Sequence, residues 1–263
     1  MSTRTIDLGV RRTNVEMKNL WRNRQAFAWT ILFPVMMLLL FASIFSGTVD
    51  GTTVKMSQVY VAGIMGSALM STGFVSLAIG MATERESGMI KRLAGTPMPK
   101  TSYFLGKVGM VLATVAVQTV VLMALGLAFF HLHLPSSLSN WLTFVWVFVL
   151  GVTASTLLGI AVGGRISDAK AAPAVVNLPF VALQFISGVW ISNNLLPKWL
   201  QTIAQVFPLH WICRGMRSVF LPDSFKTVET GGVWHLGIGA LVLTAWCIAG
   251  FAICAKSFRW TRP

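Results

Sequence analysis

The sequence predicts an all-α membrane protein, and three observations carry that prediction. Hydrophobic residues make up 55% of the 263 and mean hydropathy is +0.71, more apolar surface than one soluble core of this size can hide. Those residues gather in runs at about 26–47, 58–82, 102–130, 141–163, 171–191 and 233–256, each near the roughly 20 helical residues that cross about 30 Å of hydrocarbon. Lys and Arg are also unevenly divided among the connections. One side keeps only Lys55, Lys198, Arg214, Arg217 and Lys226, while the rest of the 21 lie with the termini. Six spans with that bias place both termini in the cytoplasm. The +13 net charge is thereby explained by juxtamembrane positions, and nucleic acid is not expected as a partner.

Residues 1–25 read as an amphipathic leader in the cytoplasmic interface. Val10, Met17 and Trp21 recur near helical spacing, with Arg11, Lys18 and Arg22 opposite them, a pattern suited to lipid tails on one face and headgroups on the other. No small-residue cleavage site follows, so the first apolar run is expected to be retained. Pro34 within it predicts a kink or an unwound entry turn. Residues 26–256 form one six-span unit, and 257–263 a cytoplasmic tail. A short outer turn at 48–57 leads to span two, and a charged loop at 83–100 joins spans two and three.

The outer connection after span three holds His131 and His133, half of a metal site at most, because no Cys, Asp or Glu accompanies them. Gly159 and Gly163 close span four with a small-xxx-small pattern, suited to tight packing within one subunit or against a second copy. Pro173 and Pro179 bend span five. Residues 192–232 are too long for a turn and too polar for a span. Leu196, Leu200, Ile203 and Phe207, then Leu209, Ile212, Met216, Val219 and Phe220, predict two amphipathic helices about Pro208, a re-entrant hairpin in the outer leaflet. Arg214 and Arg217 share its polar face, open to lipid phosphates, an exit path or water. Cys213, Cys247 and Cys254 suggest neither a disulfide framework nor a metal site.

No phosphate-binding loop, no HExxH and no acidic residue within any predicted span is present. Proton- or sodium-coupled transport, which relies on buried ionisable groups, and intramembrane hydrolysis are both disfavoured. Gln118, Asn177 and Gln184 are the main polar groups within spans, suited to interhelical hydrogen bonds or to a substrate. Chemistry is thus concentrated in Glu84-Arg85-Glu86-Ser87-Gly88 and the Lys91-Arg92-Leu93 that follows. Thr83 is expected to cap a short helix with Glu84 and Glu86 in its first turn and Lys91 and Arg92 near its last, matching the helix dipole. Met89, Ile90 and Leu93 would present an apolar face to a partner's cleft, and Pro97 and Pro99 would end the element before Tyr103. The residues alone leave open a merely solvated hairpin.

That charged stretch, with Pro97 after it, resembles the loop following the second helix of ABC-2-type permeases, the membrane subunits of ABC exporters. Phe185-Ile186-Ser187-Gly188-Val189-Trp190 resembles the close of that family's fifth helix. Leu196-Pro197-Lys198-Trp199-Leu200, Phe207-Pro208-Leu209 and Arg217 resemble its outer re-entrant region. The resemblance implies a bacterial inner-membrane, half-size permease that is not itself an enzyme and binds no cofactor. ATP and magnesium would sit in separate cytoplasmic ATPase subunits, and a second permease copy, identical or similar, would complete the pathway. Glu84, Arg85, Glu86, Gly88 and Arg92 would couple to the ATPase, joined by Lys91 on charge and position. Spans one, two and five would wall the pathway, and Ser187, Gly188, Pro208 and Arg217 would form an outer gate. An amphipathic drug or antibiotic is the expected cargo, with efflux and drug resistance as the role. A lipid-linked polysaccharide exporter and a scaffold or immunity protein without transport are the alternatives.

Overall fold

A computed structural model describes residues 3–96 and 98–257. Pro97, Arg259 and Arg262 lie outside the described residues, as do the side chains of Arg4 and Lys100. The described chain is nearly all helix, and its one β feature is an isolated bridge between Thr48 and Lys55.

The leader helix α1 spans Thr3–Arg22 and α2 spans Arg24–Ile44. Asn23 separates them, and its side-chain oxygen accepts the Ala26 N–H at 3.2 Å, satisfying a donor that α2 leaves open at its start. Pro34 is buried inside α2, which stays helical across it, so no unwound entry turn forms. The next helix, α3, runs from Met56 to Glu86, about 46 Å at 1.5 Å per residue. It is the central element: 72% of its most apolar stretch is buried, against 17% for α2.

After α3 come the short α4 (Met89–Ala94), α5 (Lys100–Phe129), α6 (Leu138–Gly163) and α7 (Ala172–Ile186). The hairpin helices α8 (Lys198–Val206) and α9 (Pro208–Phe220) precede α10 (Leu236–Ser257). Among the described residues five helices are long and apolar enough to cross a membrane: Arg24–Ile44, Met56–Glu86, Thr101–Phe129, Leu138–Gly163 and Leu236–Lys256. The fifth run, expected at 171–191, yields only the 15 residues of α7, about 22 Å. Gly188, at φ +79°, turns the chain there. Trp190 then packs on Phe41 with ring centroids 4.3 Å apart, and its carbonyl accepts from the Tyr60 hydroxyl at 3.1 Å. Packing has ended the helix before its apolar run ends.

Ser71–Ser76 of α3 adopt the wider π geometry, where α6 crosses in backbone contact. A Cβ on Gly159 would stand 2.5 Å from the Gly73 carbonyl oxygen, and one on Gly163 2.5 Å from that of Ala78. The small-residue pair therefore packs within the chain. Gly159→Leu is expected to force these helices apart and destabilise the chain by about 1–3 kcal/mol, read as earlier thermal aggregation of purified protein; unchanged stability would refute this contact.

Helix α9 is buried on nearly all sides between α3 and α6. Gly66 makes the approach possible, since a Cβ there would stand 3.0 Å from the Cys213 Cα. By contrast α8 turns Trp199, Ile203 and Val206 outward. A smaller cluster of Val49, Val54, Val59, Leu221, Phe225 and Trp234 seals the loops at this end of the bundle.

Candidate functional site

The charged elbow lies at the opposite end of α3 from the hairpin. Helix α3 continues past Thr83, whose hydroxyl donates to the Ile79 carbonyl at 3.0 Å, so Thr83 caps nothing. Glu84 and Glu86 therefore occupy the last turn of α3 and not the first turn of α4. Gly88, at φ +72°, makes the stop: it takes the left-handed conformation that costs other residues, and its N–H bonds the Arg85 carbonyl at 3.1 Å. Ile90 is buried in the chain's own core, with Leu93 packed against it, so the apolar face of α4 is turned inward and not toward a partner. Glu86, Ser87, Lys91, Arg92 and Thr96 face outward, with Arg85 half-buried.

Carboxylates at a helix C-terminus meet the negative end of its dipole and need compensation. Glu84 has it. Its carboxylate accepts from Lys107 Nζ and, at 2.9 Å, from the Tyr103 hydroxyl, both on α5. Lys107 also donates to Glu16 of α1 at 3.0 Å, and Glu16 pairs with Arg12 one turn earlier. Arg12, Glu16 and Lys107 are all buried. The Arg12 guanidinium and the Lys107 ammonium stand 5.5 and 5.6 Å from the Tyr103 ring centroid, within cation–π range. This chain of charges ties three elements together: α1, the end of α3 and the start of α5.

Small residues let α1 come this close. A Cβ on Gly106 would overlap the Arg12 side chain, and one on Gly109 that of Thr13. The face of α1 that meets α5 therefore carries Gly9, Arg12, Thr13 and Glu16, while Val10 and Trp21 are turned away, 56% and 64% exposed. None of Arg12, Glu16, Tyr103 or Lys107 was singled out from sequence as a site residue. The available signal was Lys107, a cation within an apolar run, which demands a counter-charge.

Of the span amides, Gln118 bonds two other helices: its oxygen accepts from Thr72 at 3.0 Å and its nitrogen donates to the Thr30 carbonyl at 2.6 Å. Gln184 donates to Ser67 at 2.5 Å across α7 and α3, beside a small cavity that Phe33 and Met37 also line. Asn177 makes a local bond, donating to the Pro173 carbonyl at 2.9 Å. The backbone carbonyl of His131 accepts from Gln58 at 2.7 Å.

At the hairpin end, Arg214 and Arg217 are 1% and 3% exposed, which excludes a solvated or lipid-facing role. Arg217 donates through Nε to Glu229 at 2.5 Å and through Nη1 to the Gly188 carbonyl at 3.1 Å. Arg214 donates to the Thr230 carbonyl at 2.6 Å and to that of Val233, and its Nε stands 3.7 Å from Glu229. Glu229 is thus another acidic group withdrawn from water into a paired site. Arg217 joins Gly188 directly, Ser187 is fully buried beside it, and Pro208 opens the helix that carries Arg217. Nearby, hydrogen bonds from Lys226 and Trp234 hold the Asp223 carboxyl below its ordinary range.

Residues 13–221 match the family model described as ABC-2 type transporter. The inner membrane transport permease YadH of Escherichia coli is 23% identical, over 89% of this chain and 94% of that protein. A Porphyra purpurea protein named "Putative transport permease ycf38" is 26% identical, over 80% of this chain and 72% of its own. Another E. coli protein, named "Probable multidrug ABC transporter permease YbhR", is 23% identical over 64% of this chain and 44% of its own length.

Proposed function

The chain belongs to the ABC-2 type transporter family, and we propose that it is the permease subunit through which ATP hydrolysis in a separate ATPase drives export. The family makes it a multi-pass membrane component of an ABC transporter, associated with an ABC ATPase and not itself an enzyme. The observation carrying the coupling is the elbow. Glu86 at the end of α3 and Lys91 and Arg92 on the short α4, which Ile90 anchors, face outward, and Glu84 behind them is held in a buried ionic chain. A push on that helix is delivered to α1, α3 and α5 together, because breaking the chain would strand buried charge.

In this reading α7 serves as a sixth crossing, thinned to 15 residues where the hairpin covers its end, so both termini are cytoplasmic. The excess of Lys and Arg at the elbow end supports that orientation. Two copies, or one with a similar subunit, pair through the apolar faces left uncovered on α2 and α7, where Phe33, Met36, Leu178 and Phe185 are exposed. The pathway runs between them, and the hairpin with Ser187, Gly188 and Arg217 closes its outer end. The largely apolar walls suit an amphipathic small molecule, as does the multidrug name of one relative.

Coexpression with ABC ATPases of the source genome, to find the one that assembles with this chain, tests the elbow. Arg92→Ala or Glu86→Ala removes an exposed, charge-assisted contact, expected to weaken assembly by about 1.5–3 kcal/mol, on the order of ten- to a hundredfold. Permease-stimulated ATP hydrolysis should fall with it. Unchanged assembly together with unchanged stimulation would leave the elbow without a coupling role.

A further inference from the structure

The outward face of α1 at its junction with α2 carries cations that no ion pair among the described residues uses. Val15, Lys18, Asn19, Trp21, Arg22 and Arg24 line one open cleft there. Three of the six are cations and none is acidic. The nearest acids along α1 are engaged elsewhere: Asp7 pairs with Arg11 at 3.0 Å, and Glu16 is buried with Arg12 and Lys107. Lys18, Arg22 and Arg24 have no ion pair among the described residues.

The cleft is also two-natured. Trp21 stacks on Phe27 of α2 with centroids 5.4 Å apart, and with Val15 it offers apolar surface beside the three cations. Helix α2 enters its apolar run at once, so the cations lie at headgroup depth and the tryptophan where its amphipathic ring is favoured. A free anion would use the cations and leave Trp21 and Val15 idle; an acyl chain alone would do the reverse. We infer that this cleft is a binding site for one anionic phospholipid, its phosphate held by Lys18, Arg22 and Arg24 and its glycerol and upper acyl carbons on Trp21 and Val15. The lipid would span the break at Asn23, bracing the leader against the first membrane helix.

A juxtamembrane cation strengthens anionic-lipid binding roughly fivefold, so three together supply on the order of a hundredfold. The full chain, purified in detergent with equal phosphatidylglycerol and phosphatidylcholine, is to be examined by native mass spectrometry. Wild type should retain phosphatidylglycerol preferentially, and K18Q/R22Q/R24Q should lose that preference. Arg22→Gln alone should weaken it roughly fivefold, which keeps the test available if the triple variant does not fold. Arg11→Gln, on the same helix outside the cleft, should leave it intact. Equal retention of both lipids by wild type, or equal loss in Arg11→Gln, would overturn the site in favour of diffuse surface charge. Displacement of the lipid by excess inorganic phosphate would overturn it in favour of a soluble anion.

Discussion

Lys107→Met is expected to loosen the leader helix from the rest of the protein and to separate ATPase docking from transport. The substitution preserves the length of the side chain but removes the one ammonium that Glu16 and Glu84 share. Two carboxylates then face each other in a site where Lys107 had been 2% exposed. Removing one partner of a buried ionic group costs about 3–5 kcal/mol, since the remaining charge stays desolvated. Glu16 keeps Arg12, whereas Glu84 keeps, among the described residues, the Tyr103 hydroxyl. Hydrogen exchange should therefore rise along α1 and at the end of α3, with the hairpin end unaffected. Because the outward elbow residues are untouched, the ATPase should still bind while its stimulation falls. Lys107→Arg should restore much of both. Glu84→Gln combined with Lys107→Met should recover stability, because little unpaired charge remains, without recovering coupling. A Lys107→Met protein with wild-type exchange in α1 would refute the ionic tie.

Arg217→Ala should have an effect of similar size at the other end. It strips Glu229 of its 2.5 Å partner and the Gly188 carbonyl of a donor, leaving Arg214 at 3.7 Å as the remaining counter-charge. The expected loss is again about 3–5 kcal/mol, a large share of the 5–15 kcal/mol that holds a typical protein folded. Thermal unfolding in detergent should begin well below wild type, and the turn at Gly188 should become accessible to protease. Arg217→Lys keeps a charge but not the planar fork that reaches two acceptors at once, so it should fall between. Wild-type thermal stability in Arg217→Ala would show that the cluster does not hold the hairpin.

The leader helix shows how far sequence reading reaches. Of the apolar face read from Val10, Met17 and Trp21, Val10 and Trp21 are uncovered by protein, whereas Met17 is half-buried with its sulfur 4.0 Å from the Thr114 hydroxyl of α5. What was not legible is that a further face of α1 presses onto α5 at Gly106 and Gly109, burying Arg12 and Glu16, while Arg11, Lys18 and Arg22 stay exposed. The elbow was found from its charge density, but its helix phase was misassigned. Thr83 is as plausible a cap as an interior residue until one knows that α3 continues through it, and only Gly88 ends that continuation. The hairpin helices were readable from their 3.6-residue repeat about Pro208. Their depth was not, because Arg214 and Arg217 read as surface residues until Glu229 is brought to them from beyond the helix.

The sequence by itself determined that this is a helical membrane protein, where most of its long helices run, where its charged elbow lies and which family it resembles. These follow from hydrophobic length, charge asymmetry and short motifs, all properties of neighbouring residues. Only the tertiary structure decided that the fifth apolar run stops at 15 residues, that Ile90 turns inward, and that seven charged side chains close into two paired clusters. Lys107 and Glu16 are 91 residues apart in the chain and 3.0 Å apart in space. Such a pairing depends on the rotation and separation of whole helices, which glycines at their crossings set and which no local pattern encodes.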